Sequence, residues 1–341
     1  MINNLKEMIE KKAWIALTIY EHDLSNNPQL INIKDKYIQD TLFTIRFLSI
    51  SLDVEEPLIF INYMNWFGQL AYYLKFKLDS MNHHFQVCHE VFLTIFETSF
   101  FQKVNHTFKL GIKEFEASYL STKPQGIKIN EFLNFLLNMD TESAYQHVNQ
   151  KIEEGSSIKD IYLKLFQPTL YQVGELWQQR IITVAKEHYI TAAIQHIIGK
   201  LYPKLFLDKM SGTHSMTAVC AGDELHEIGM RMVADFFELS GWDTAFLGSN
   251  IPTELIIEHL MEYPTDLLAI SANTPSQLTD VKNLIDTVKN HETLNKIKIM
   301  VGGKVFNETP NLWKLVGADG YALEPEQATL LANLLVGEQN A

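Results

Sequence analysis

The sequence predicts an α/β protein: a doubly wound, parallel five-stranded sheet, preceded by a four-helix bundle and an all-helical N-terminal domain. Three observations predict it. The first 120 or so residues keep helical spacing throughout, as in "DKYIQDTLFTIRFLSISL", with no glycine-punctuated alternation of strands. Four short-connected helical segments follow. After residue 213, short apolar runs alternate with helical ones, the pattern of a parallel sheet covered on both faces.

The elements follow in order. The polar stretch "STKPQG" marks a boundary near residue 125, so residues 1–125 form the first domain. The bundle, 127–206, begins with "NEFLNFLLNM". Asp140 is placed to cap "TESAYQHVNQKIEEG", and Ser157 with Asp160 approximates a capping box ahead of "IYLKLFQPTLYQVGELW". "TVAKEHYITAAIQHIIGKLYPKLF" supplies the fourth helix. The last domain, 213–338, has strands at "MTAVCA", "WDTAFLG", "LLAIS", "KIKIMVGG" and "GYALE". Between the third and fourth lies "PSQLTDVKNLIDTVKNH", where Leu278, Val281, Ile285 and Val288 share one helix face.

Composition narrows the function. With 46% hydrophobic and 20% charged residues, the chain of 341 has the profile of a soluble globular protein large enough for two or three domains. Cys88 and Cys220 stand far apart, which excludes a disulfide framework or a zinc knuckle and fits a reducing, cytoplasmic setting. No signal peptide is read at the N-terminus. The most apolar stretch, 58–74, is shorter than a bilayer span and carries Asn62, Asn65 and Gln69, so it is expected to be a buried aromatic helix. Net charge is −13, and residues 1–125 hold 12 Lys+Arg against 14 Asp+Glu, so most of the acid lies in the C-terminal part. Such a surface repels phosphate backbones, and direct nucleic-acid binding is disfavoured.

In doubly wound sheets, ligands gather at the carboxyl ends of the strands. There the first strand runs into "AGDELHEIGMRMV", with His226 in the loop and Gly229 at the start of the next helix; the third ends at Ser271; the fourth ends in Gly302 and Gly303. Taken singly, a loop histidine is a surface residue and a Gly-Gly pair is a turn. Together they suggest more. His226 with Glu224 two residues earlier makes a metal ligand with a carboxylate that fixes its tautomer. One protein ligand suits a metal already held by a macrocycle, since a bare zinc ion wants three or four. The glycines leave room for a long appendage, and the set points to a corrinoid.

"GDELHEIG", Ser271 and Gly302-Gly303 resemble the signature of the cobalamin-binding domain shared by methionine synthase, corrinoid methyl carriers and cobalamin-dependent mutases. The bundle resembles the helical cap over the upper corrin face in the methionine synthase group. That resemblance implies a flavodoxin-like sheet with His226 as the lower cobalt ligand. It also implies support for His226 from Glu224 and Ser271, and a slot for the nucleotide tail lined by Gly229, Gly302 and Gly303. The family more often has Asp at the Glu224 position.

Within the bundle, Trp177 stands nine residues before Glu187 and His188 in "LWQQRIITVAKEH". This spacing resembles the light-sensing cobalamin regulators of the CarH/LitR type, in which the Trp and Glu hold a 5′-deoxyadenosyl group. Trp177 offers a broad apolar wall and Glu187 a hydrogen-bond acceptor. Two departures stand out: those regulators begin with a basic DNA-binding domain that this chain lacks, and they carry a cobalt-ligating His where this chain has Gln178. His188 or water is left to take the vacated position.

The expected function is therefore an adenosylcobalamin light sensor, in which photolysis of the cobalt–carbon bond rearranges the bundle. The signal would pass by self-association, by the N-terminal domain or by a regulatory partner protein. The alternative is a corrinoid methyl carrier using methylcobalamin, with the cobalamin subunit of an isomerase and a storage protein as further readings. In the N-terminal domain, His84 and Cys88, with His83 and His89 beside them, share a helix face. They read as an ordinary polar helix surface, or as a metal or haem site. The aromatic row Phe60, Tyr63, Trp66, Phe67, Tyr72 and Tyr73 reads as core packing in preference to a chromophore pocket.

Overall fold

The computed structural model describes residues 1–124, 126–205, 214–222 and 226–337. The expected domain limits at 125, 206, 213 and 338, and Glu224, lie outside the described residues. The chain divides into two compact units, Met1–Lys123 and Pro124–Ala341.

The first unit is helical apart from one parallel bridge, Ile2 with Phe96: α1 (Leu5–Glu10), α2 (Lys12–Leu24), α3 (Lys34–Asp53), α4 (Pro57–Tyr73), α5 (Leu78–Ile95) and α6 (Thr98–Ser121), with a 3-10 turn at Pro28–Ile33. The apolar stretch 58–74 is α4, whose Phe60, Tyr63 and Met64 are buried in the core of this unit. Tyr63 stacks on Phe47 with ring centroids 4.1 Å apart. Phe60 and Tyr63 of the aromatic row are core, with Trp66 and Phe67 packed against it, while Tyr72 and Tyr73 are half-buried at the helix end; no described helix is long and apolar enough to cross a membrane.

The His84–Cys88 face of α5 departs from the expected polar surface. Cys88 is buried, and its Sγ lies 3.6 Å from His84 Nε2. His84 Nδ1 is 2.9 Å from Tyr37 Oη, which donates to Asp23 Oδ2 at 2.8 Å. Asp23, itself buried, also meets His83 Nε2 at 3.0 Å and accepts from Asn27 Nδ2 at 2.7 Å. The thiol-imidazole pair is thus closed by residues of α2 and α3 into a hydrogen-bonded chain. Among the described residues, no group of three or more His, Cys, Asp or Glu side chains is arranged to hold a metal ion.

The second unit opens with α7 (Glu131–Leu137), α8 (Thr141–Glu153) and a long third helix built from α9 (Ile158–Ile161), a π-helical turn (Tyr162–Phe166) and α10 (Gln167–Gln178). The fourth helix of the bundle is α11 (Val184–Leu205). Asp140 accepts from Ser143 N, and Ser157 with Asp160 forms the capping box. The π turn has a cause in Pro168: its missing N–H and its ring disrupt the preceding helical turn, and Gln167 N reaches back to Tyr162 O instead.

The sheet domain follows with β1 (Ser215–Cys220), α12 (Ile228–Leu239), β2 (Asp243–Gly248), α13 (Thr253–Glu262), β3 (Leu267–Ser271), α14 (Leu278–Asn290), β4 (Lys298–Gly302), α15 (Lys304–Glu308), α16 (Leu312–Leu315), β5 (Gly320–Tyr321) and α17 (Pro325–Gly337). All pairings are parallel, in the order β2-β1-β3-β4-β5. This is the expected doubly wound, flavodoxin-like topology, and its switch point lies between β1 and β3. The fifth strand is shorter than "GYALE" suggests, because only Gly320 and Tyr321 pair with β4.

Bundle and sheet domain share a core. Ile228, Met232 and Phe236 of α12 cluster with Ile190, Ile194 and Ile197 of α11 and with Phe166 beside the π turn. Tyr162 Oη donates to Asp235 Oδ2 at 2.7 Å, and Arg231 Nε donates to Oδ1 at 3.1 Å. Burial raises the Asp235 carboxyl above its ordinary range, and these two donors act against that rise.

Candidate functional site

The register of the sheet assembles the strand-end residues. Ser271 pairs with Cys220 at the end of β1 and with Gly302 at the end of β4, so it stands in the centre of the carboxyl edge. His226 follows β1, one of the two strands flanking the switch point, and is exposed immediately before α12. Gly229 lies in the first turn of α12.

The three glycines have different reasons to be glycine. Gly303 has φ +101°, and a Cβ there would lie 2.3 Å from the carbonyl oxygen of Ala272. Its identity is a requirement of the backbone itself. A Cβ on Gly229 would meet nothing within 4 Å, and one on Gly302 would make only ordinary contact, 3.6 Å from Ala322 O. At neither position does a described atom crowd the place of a side chain.

One residue that holds the edge together escaped the sequence reading. Asn273, two residues beyond Ser271, donates a long 3.4 Å bond from Nδ2 to the carbonyl of His226. Its Oδ1 accepts from Lys304 N at 3.1 Å, directly after Gly303. Gln277 Oε1 in turn accepts from the backbone N–H groups of Asn273 and Thr274, at 2.9 and 3.0 Å. The loops after β1, β3 and β4 are therefore tied through one amide side chain. "SANTP" offered a clue, since Asn before a turn commonly bonds nearby backbone, but its partners are remote in sequence.

On the bundle, Trp177 sits half-buried in the last turn of α10, and Glu187 and His188 in the first turn of α11. The intervening turn reverses through Arg180, at φ +59°, and both Ile181 N and Ile182 N bond Leu176 O. The Glu187 carboxylate accepts from Thr191 Oγ1 at 3.0 Å and contacts His188 Nδ1. Its side chain is 23% exposed while that of His188 is 75% exposed, so Glu187 is held and His188 points outward. Gln178, next to Trp177, is partly buried.

This donor set fits a corrinoid. His226 is exposed beside the switch point, no group of three or more His, Cys, Asp or Glu side chains among the described residues is arranged to hold a bare ion, and a Cβ on Gly229 would meet nothing within 4 Å.

Comparison with known proteins agrees. Two family models, each described as a B12 binding domain, match residues 215–331 and 128–202. A corrinoid protein from Desulfitobacterium hafniense (strain Y51) is 22% identical over 214 residues, covering 62% of this chain and 98% of that protein. Monomethylamine corrinoid protein 1 from Methanosarcina acetivorans is 23% identical, covering 60% of this chain and 94% of its own. The structure of the Methanosarcina barkeri monomethylamine corrinoid protein superposes with a TM-score of 0.53 at 21% identity, over 60% of this chain and 96% of that one, and supports the same fold. None of these relatives is named for light sensing, so the finer kinship expected from Trp177 and Glu187 rests on that motif alone. Cobalamin is the cofactor, and two segments of the chain, residues 128–202 and 215–331, each match a B12 binding domain.

Proposed function

We propose that the chain is a corrinoid protein that carries a methyl group on cobalamin for a partner methyltransferase. The observation that carries this reading is the extent of the match: this chain covers 94–98% of the length of two corrinoid proteins, one of them named for monomethylamine. Bound cobalamin supplies a cobalt–carbon bond that can be made and broken. The chain's own residues would bind and orient it: His226 would hold the cobalt, with Ser271 and Glu224 in support. Gly229, Gly302 and Gly303 would admit the tail, and Trp177 would wall the bundle side. The N-terminal unit lies outside the matched residues and is free to serve as the docking domain for a partner.

A specific observation favours a second reading, the adenosylcobalamin light sensor. Glu187 is oriented by Thr191 and His188, which suits an acceptor for ribose hydroxyls, and Trp177 stands at the spacing of that motif. One experiment separates the two. The chain is purified in the dark, loaded with methylcobalamin or adenosylcobalamin, and followed by visible spectrum and elution size under green light. The methyl-carrier reading expects equal or tighter binding of methylcobalamin and no change of size with light. Preference for adenosylcobalamin, with a light-driven change of spectrum and size, would replace it with the sensor.

A further inference from the structure

Glu227, next to the proposed cobalt ligand, has a side chain that serves neither its own helix nor the strand-end loops tied by Asn273. It occupies the N-cap position of α12 but makes no side-chain cap bond there. Instead Oε1 accepts from Gln195 Nε2 of α11 at 3.2 Å, and Oε2 accepts from Ser249 Oγ, just past β2, at 3.1 Å. Gly248, at φ +85°, makes this approach possible: a Cβ there would lie 3.3 Å from Glu227 Oε2.

Gln195 lies on the helix face that carries Glu187 and Thr191, at i, i+4 and i+8, where side chains stack along one stripe. Thr191 donates to Glu187 and Gln195 donates to Glu227. A polar stripe thus runs along α11 from the upper-face residue Glu187 to the residue adjoining His226. Gln195 is an exposed position, where an ordinary side chain would be free in solvent.

We propose that Glu227 is a positioning residue: a latch through which the helical cap holds the His226 loop in its ligating position. When the cap is seated, Gln195 and Ser249 fix the carboxylate from two sides. When α11 lifts, the Gln195 bond is lost, while Glu227 keeps Ser249 and the His226 carbonyl keeps Asn273. The inference rests on the reading of His226 as the cobalt ligand. It adds that upper-face events at α11 are felt beneath the corrin.

The test uses the full chain and hydroxocobalamin, with affinity and the visible spectrum of the bound form both recorded. Glu227→Ala and Gln195→Ala should each weaken binding about tenfold, the lower end of what loss of a group supporting a metal ligand costs. Each should also lower the fraction showing the His226-dependent band. The double variant should be no worse than Glu227→Ala alone, because that variant already removes the Gln195 bond along with the Ser249 bond. Glu227→Gln, which can still accept from Gln195 and donate to Ser249, should restore both signals. Gln195 is exposed, so its truncation leaves the fold intact and the test readable. Wild-type behaviour of Glu227→Ala, or losses that add in the double variant, would overturn the latch. His226→Ala serves as the control: a change of affinity and spectrum there, with none in Glu227→Ala, removes the latch alone. No change in His226→Ala removes the ligand reading and the latch with it.

Discussion

Gly303→Ala is expected to destabilise the sheet domain by more than about 3 kcal/mol, whereas Gly229→Ala should leave its stability within about 1 kcal/mol. The difference follows from what each missing Cβ would meet. At Gly303 the backbone has φ +101° and ψ 173°, a region that glycine alone enters readily. The added carbon would sit 2.3 Å from Ala272 O and 2.9 Å from its carbonyl carbon. Both are backbone atoms beside a central strand and have no rotamer through which to yield. At Gly229 a Cβ meets no protein atom within 4 Å, and a first-turn helical Ala is favoured over Gly. A longer side chain there intrudes on the proposed tail slot, so Gly229→Leu should weaken cobalamin binding in a stable protein. Chemical denaturation of the three variants, with a cobalamin titration of each, checks both halves. A Gly303→Ala chain as stable as the wild type would mean that the turn after β4 is not held as described.

Acid is expected to weaken the N-terminal unit by at most about 3 kcal/mol as pH falls from 6.5 to 4, because of His84. Burial lowers the pKa of this imidazole to about 4, against the partial opposition of Asp23. The folded unit therefore keeps His84 neutral, between Cys88 Sγ and Tyr37 Oη, while the unfolded chain takes up its proton near 6.5. A histidine whose folded pKa is depressed gives stability that is fully present above the unfolded value and is lost as pH falls toward the folded one. Below about 4 its contribution is constant. Asp23 carries the loss further into acid. Burial pushes its carboxyl up, but hydrogen bonds from Asn27, His83 and Tyr37 outweigh that and hold it below its ordinary range. Hydrogen exchange of α5 at pH 7.5 and 4.5 reads the effect. His84→Asn should be less stable than wild type at pH 7.5 and lose less on acidification. A wild type and variant with parallel pH dependence would show that His84 is not the group responsible.

The sequence carried most of the fold because its signals there are local. Apolar runs mark β1 to β4, the 3.6-residue rhythm marks the helices, and Asp140 and Ser157 cap where their neighbours predict. The strand-end site was legible for the same reason: topology alone brings the ends of β1, β3 and β4 together, so His226, Ser271 and Gly302 needed no contact information. What remained hidden depends on partners far along the chain. Asn273 reaches His226 and Lys304, Glu227 reaches Gln195 and Ser249, and His84 with Cys88 is closed by Tyr37 and Asp23. Spacing put His84 and Cys88 on one face but could not say whether that face looked outward. The π turn was readable in principle, since Pro168 inside a helical rhythm marks a place where the regular ladder must break. The side-chain bonds described for Glu187 are local, to Thr191 and His188, so they do not tie its motif with Trp177 to the rest of the fold, and the relatives reported are not named for light sensing.

The central claim is that cobalamin sits at the switch point with His226 beneath its cobalt. It is tested most directly by electron paramagnetic resonance of the chain loaded with cobalamin in the cobalt(II) state, with its histidines labelled by the heavy nitrogen isotope. The account predicts an axial-nitrogen splitting that changes with the label and disappears in His226→Ala. A splitting indifferent to both label and substitution would contradict it, and would mean that cobalamin binds this chain with its own nucleotide base, or no base at all, beneath the metal.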